Sequence, residues 1–174
     1  MSTSQDQWQR RLAAIWDRAS SMRGEDLVQA IDALALERSS GDGLALFERA
    51  CARDTAGFEA EAEHYYRAAL RTQDLDPYRR SRAVIQLAST LRILGRLAES
   101  EQLLVEELER NRDADEEERP LQDEARAILA LTYIAQGRAT EAAGLALCTL
   151  APRLSRYNRS IFANASSLVK KTWA

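Results

Sequence analysis

An all-α fold of stacked helical hairpins is predicted by three features of this 174-residue sequence. Only three prolines and seven glycines interrupt a chain dominated by alanine, leucine, glutamate and arginine, a balance that favours helices over a sheet. Apolar residues recur at helical spacing, as in Val84, Leu87, Leu91 and Leu94. Three glycines each open the same short phrase, with further positions five, nine and twelve residues on. The length suits one domain with a continuous core.

Residues 1–40 read as a helical pair. Trp8, Leu12, Ile15, Trp16 and Ala19 form one amphipathic stripe, and Leu27, Ala30, Ile31 and Leu34 form a second. Gly24, followed by Ala30, marks the pair as a degenerate copy of the units that follow. Those units span 43–72, 77–111 and 120–150. In them Gly57 precedes Ala62, Tyr66 and Ala69; Gly95 precedes Ser100, Leu104 and Glu107; Gly137 precedes Ala142, Ala146 and Thr149. An alanine stands seven residues before each glycine, at 50, 88 and 130.

The chemistry explains the pattern. Small residues let two antiparallel helices approach, a larger one fills the gap beside them, and glycine supplies the left-handed conformation that ends the first helix. The glycines are 38 and 42 residues apart, and polar loops at 72–76 and 111–119 lie between the units, before Pro77 and Pro120. A last helix over 152–171, with Leu154, Tyr157, Ile161, Ala165 and Leu168 on one stripe, covers the exposed face of the third unit. Nine helices in a right-handed helical-hairpin solenoid are expected.

A net charge of −3 gives no general attraction to nucleic acid or to an anionic membrane. The amino terminus lacks a basic segment followed by an apolar core, and no apolar run approaches the ~20 residues that span a bilayer, so a cytoplasmic protein is expected. Cys51 and Cys148 stand apart, without metal-ligand spacing, and read as buried reduced thiols. The single histidine, His64, lies off the Ala62, Tyr66 and Ala69 stripe and is expected to face solvent. The acidic run 113–118 lacks the alternating ligands and glycine of a calcium loop. No catalytic residue, cofactor or metal site is expected.

Ala45-Leu46-Phe47-Glu48, Asp54, Gly57, Glu59 to Ala62 and Tyr65 to Leu70, with Leu87 to Arg96 and Arg156 to Ser160, carry a likeness to a known family. Over roughly 43–165 the chain resembles the tetratricopeptide repeat proteins, and more narrowly a small bacterial group of them, the group 5 type. Its glycine spacings exceed the family period of about 34 residues. Arg49, Arg53, Glu107 and Thr149 depart from the family's usual apolar or small residues.

The resemblance implies a non-catalytic scaffold whose first helices line a concave, partner-binding surface. The residues implied there are Phe47, Glu48, Cys51 and Asp54; Arg82, Gln86, Ser89 and Arg92; and Glu124, Ile128 and Leu131. The alternative gives Glu48 and Asp54 to Arg82 or Arg92 as ion pairs, and tucks Ile128 and Leu131 under the last helix. Relatives that grip chaperone tails use lysine and asparagine where Phe47, Cys51, Gln86, Glu124 and Ile128 stand, so no such clamp is expected. The implied partner is a protein or peptide with apolar anchors and acidic side chains. A homodimer is the alternative, and the acidic balance argues against single-stranded nucleic acid.

Overall fold

The computed structural model describes residues 4–110 and 121–169, and contains nine α-helices and no strand among them. The 111–119 loop and the acidic run 113–118 lie outside the described residues. The chain divides into two compact units, one ending at Asp76 and the other starting at Pro77.

The first unit comprises α1 (Ser4–Trp16), α2 (Gly24–Ala35), α3 (Gly43–Ala56) and α4 (Glu59–Thr72), with a 3-10 turn at Ala19–Ser21. The expected stripes build its core: Trp8 and Leu12 meet Leu27, Ile31 and Leu34, with Ala52 of α3 completing the cluster. The Trp8 indole donates to the Leu34 carbonyl at 2.9 Å, so its one polar group is satisfied as the ring is buried. Gly24 does not act as the corner that the degenerate-repeat reading implies. It starts α2, and a Cβ there would lie 2.9 Å from the Ala56 Cβ, so its role is close approach between α2 and the end of α3.

The other three glycines are the corners the spacing predicts. Gly57, Gly95 and Gly137 have φ of 79°, 78° and 78°. At each, two crossed hydrogen bonds close the helix end. The Phe58 amide reaches the Arg53 carbonyl and the Gly57 amide that of Asp54, a pattern repeated by Arg96 to Leu91 with Gly95 to Arg92, and by Arg138 to Tyr133 with Gly137 to Ile134.

The second unit comprises α5 (Pro77–Ile93), α6 (Leu97–Arg110), α7 (Gln122–Ala135), α8 (Ala139–Leu150) and α9 (Asn158–Ser166), with a 3-10 turn at Ala151–Arg153. Leu104, Leu108, Leu129, Tyr133 and Leu145 fill its core. Each fully buried leucine contributes about 1.5–3 kcal/mol of transfer free energy. The small-residue phrase is buried in full at Ala62, Tyr66 and Ala69 and at Ser100, Leu104 and Glu107. In α8 the buried positions are Ala142, Gly144, Leu145 and Cys148, while Ala146 is exposed and Thr149 half-buried. The reason is that α8 is packed from two sides, by α7 and by α9, which turns its buried arc by one residue.

Gly144 carries the α9 contact: a Cβ there would stand 2.8 Å from the Leu168 Cβ and 3.0 Å from the Ala165 carbonyl oxygen. The last helix therefore caps α8 as a solenoid end requires. Tyr157 leaves the expected stripe; it precedes α9 with φ 62° and is 76 % exposed, while Val169 is buried in the core. We expect Gly144→Ala to destabilise the protein by about 1 kcal/mol, since overpacking strain of about 1–3 kcal/mol exceeds the roughly 1 kcal/mol gained in helix propensity. Thermal unfolding measures it, and a raised Tm would contradict the packing of α9 on α8.

Candidate functional site

In the first unit the expected ligand residues turn inward. Phe47 is fully buried, its ring centroid 6.3 Å from that of Tyr66. Glu48 is buried and accepts a hydrogen bond from the Trp16 indole at 2.7 Å. The Tyr66 hydroxyl lies 3.7 Å from the Cys51 sulfur and 3.1 Å from an Asp54 carboxylate oxygen, and burial pushes its pKa far above the ordinary phenol value. Phe47, Glu48 and Cys51 therefore do not line an open face. The physical reason is that α3 is held by α2 on one side and α4 on the other, leaving few of its positions outside a helix contact.

Arg53 and Arg49, out of place for an apolar helix, are explained by the same packing. Arg53 is buried and forks onto both carboxylate oxygens of Asp32 on α2, at 3.0 and 2.8 Å, while its Nε donates to Glu61 on α4 at 3.0 Å. Arg49 donates to Asp32 at 2.8 Å, and both guanidinium groups lie over the Tyr65 ring, at 5.0 and 4.3 Å. Burial opposes the charge on Asp32, but the hydrogen bonds from Arg53 and Arg49 outweigh it and hold the carboxyl below its ordinary range.

The second unit presents the open face. Its first helices α5 and α7 pack together, and the residues expected on them stand 42 positions apart in pairs: Arg82 with Glu124, Gln86 with Ile128, Ser89 with Leu131. Arg82, Gln86, Ser89 and Ile128 are half-buried and Glu124 is exposed; Ile128 leans on the core. Arg82 and Gln86 take part in polar interactions of their own. Leu131 is 44 % exposed, Ile134 one turn further along α7 is 56 % exposed, and Ile93 at the end of α5 is 54 % exposed. Arg92 is half-buried, and its Nε is shut away from solvent with no hydrogen-bond partner among the described residues.

Ile134 and Ile93 are functional candidates absent from the sequence-based set. The signal was available for Ile134, which stands 42 residues after Arg92 and one helical turn after Leu131. Glu107 explains its own departure from the small-residue rule. It is buried, and it accepts hydrogen bonds from the Ser81 hydroxyl at 2.6 Å and from Arg80 at 2.8 Å, tying α6 to α5.

His64 is exposed and stands edge-on to the Tyr65 ring. Both cysteines are buried and free of disulfides, and burial raises the Cys148 thiol pKa, which depletes the thiolate. Among the described residues no group of three histidine, cysteine or acidic side chains could hold a metal ion, and no helix is long and apolar enough to cross a membrane.

Comparison with known families adds one result: the model described as tetratrico peptide repeat matches residues 43–168. The chain belongs to the tetratricopeptide repeat family. The match takes in all three glycine corners and runs on through α9, so the repeats and the helix that caps them fall within it. Searches of curated proteins and of solved structures returned no match to this repeat protein. As in the family generally, the arrangement suggests a protein-interaction scaffold.

Proposed function

We propose that this repeat protein is a non-catalytic scaffold that binds a protein segment along the face formed by α5 and α7. The observation that carries the reading is the neighbourhood of Arg92. A half-buried guanidinium with an unsatisfied Nε stands on the same helix turn as Ile93, and Leu131 and Ile134 expose apolar area on the adjoining helix. Arg92 makes no ion pair or side-chain hydrogen bond among the described residues, so the exposed part of its guanidinium is open to an incoming carboxylate or carbonyl. Apolar side chains left at the surface lose their contact with water when a partner covers them.

The fitting ligand is an amphipathic helix or extended segment with apolar anchors for Leu131 and Ile134 and an acidic side chain for Arg92. Arg82, Gln86, Ser89 and Glu124 then act at the rim or in packing rather than as anchors. Two buried thiols without a disulfide fit a cytoplasmic setting.

The test is affinity capture from the native host with the wild type, Arg92→Glu and Leu131→Glu. Both variants are expected to keep the circular dichroism of the wild type and to lose at least about tenfold in bound partner, equivalent to about 1.4 kcal/mol. Equal recovery with all three proteins would remove the proposal. Recovery of a second copy of the chain itself would reassign the same face to self-association.

A further inference from the structure

The other end of the second unit has a different chemistry, and from it we infer that the α9 cap is a second docking surface, one that takes an acidic segment carrying a single large apolar side chain. No aspartate or glutamate follows Glu141 in the sequence, whereas Arg153, Arg156 and Arg159 all do. Elsewhere the arginines are mostly spoken for: Arg53, Arg80, Arg96 and Arg138 each hold a carboxylate on the chain itself. Arg153 is paired with Asp123, but Arg156 and Arg159 are exposed and form no ion pair or side-chain hydrogen bond among the described residues. Two unneutralised guanidinium groups three residues apart make a local positive field on a chain of net negative charge.

That field frames a hollow. Ala151, Pro152 and Phe162 give it apolar walls, and Asn158 and Arg159 also line it. Its volume of about 210 Å³ is below the roughly 300–1,000 Å³ of a small-molecule site, which leaves room for a side chain rather than a cofactor. Tyr157, next in sequence to Asn158, is 76 % exposed and held at φ 62°, and Phe162 is 38 % exposed. Aromatic and arginine side chains around a small apolar hollow are the composition of a protein-recognition anchor site.

A membrane fits less well. The nine residues of α9 turn Ile161 and Ala165 inward and leave Phe162 as the large apolar side chain on the outside, far from the broad apolar face that an interfacial helix needs. A nucleic-acid strand fits less well too, because Asp123 is ion-paired to Arg153 and Glu124 follows it, setting carboxylates beside the path of a phosphate backbone. An acidic peptide needs only short contact with Arg156 and Arg159 and one side chain in the hollow. The inference is independent of the α5 and α7 face, since it rests on different residues.

The experiment is fluorescence anisotropy of the full chain with a labelled peptide, Asp-Glu-Glu-Asp-Leu-Phe-Glu-Glu-Asp-Glu. Saturable binding is expected, weakening at least about tenfold in the Arg156→Glu, Arg159→Glu double variant and falling with added salt. Phe162→Ser, and a peptide with Ser-Ser in place of Leu-Phe, are each expected to weaken it several-fold, while Leu131→Glu leaves it unchanged. Since all of these positions are exposed, circular dichroism of the variants should match the wild type. The inference is overturned by absence of saturable binding, by equal binding of the peptide with Gln and Asn for Glu and Asp, or by insensitivity to the arginine reversals. Tighter binding to oligo-deoxythymidine, or to phosphatidylserine-containing vesicles, would overturn it in favour of that partner.

Discussion

Replacing Arg53 with alanine is expected to lower the unfolding free energy by about 3 kcal/mol, read as a shift of the urea midpoint. The side chain is 7 % exposed and joins three helices through Asp32 and Glu61. Its removal leaves the Asp32 carboxylate, 27 % exposed, with Arg49 as its remaining guanidinium partner. Breaking a buried pair costs about 3–5 kcal/mol, mostly through the charge left behind, and the Arg49 contact keeps the value at the lower end. The Tyr65 ring loses one of its two cations as well. Arg11→Ala is the control: Arg11 and Glu37 form an exposed pair, so a far smaller shift is expected. Equal shifts for the two variants would contradict the role given to Arg53.

The second large effect is a flattening of the pH dependence when Arg80 is replaced by methionine. Burial disfavours the charged form of Glu107, but hydrogen bonds from Ser81 and Arg80 outweigh it, so the folded-state pKa lies below the ordinary glutamate value of about 4.3. A depressed folded pKa gives stability that is present above the unfolded pKa and is lost as the pH falls through the folded one. Without Arg80, burial is opposed only by the Ser81 hydrogen bond and the nearby Arg110, and the folded pKa is expected to rise towards the unfolded value. The stability that Glu107 supplies above the unfolded pKa would shrink accordingly, so less of it is left to lose on acidification. Arg80→Met is thus expected to cost about 3 kcal/mol at neutral pH and markedly less in acid. Urea unfolding across pH 3 to 7, with Glu107→Gln as the reference lacking a titrating group, resolves the two slopes. Parallel curves for wild type and Arg80→Met would refute the arrangement.

The parts of the fold legible in the sequence are those where a position demands one kind of residue. A left-handed helix end demands glycine, and the three corners with φ near 78° sit where the recurring phrase put them. Trp8, Leu12, Leu27, Ile31 and Leu34 were equally legible, because a helix with one buried stripe announces its face by period alone. Periodicity loses its meaning where a helix touches several neighbours at once. α3 is packed on two sides, and periodicity could not say that Phe47 and Cys51 face the protein and not a ligand. Arg53 and Glu107 looked like departures from the repeat, since nothing local in the sequence reveals that Asp32 and Ser81 stand opposite them. Gly24 was readable as a glycine that matters but not as the seat of a close approach to Ala56, which depends on a helix that begins nineteen residues later, at Gly43.

Among the described residues the face of α5 and α7 joins exposed apolar area to an unsatisfied guanidinium donor, which is why the partner is proposed to bind there. Site-specific photocrosslinking in the native host tests this most directly, with a benzoylphenylalanine placed in turn at Leu131, at Ile134 and at Glu109, an exposed position on α6. Adducts of the same mass from Leu131 and Ile134, and none from Glu109, are expected. Adducts from Glu109 with none from either residue of α7 would contradict the account.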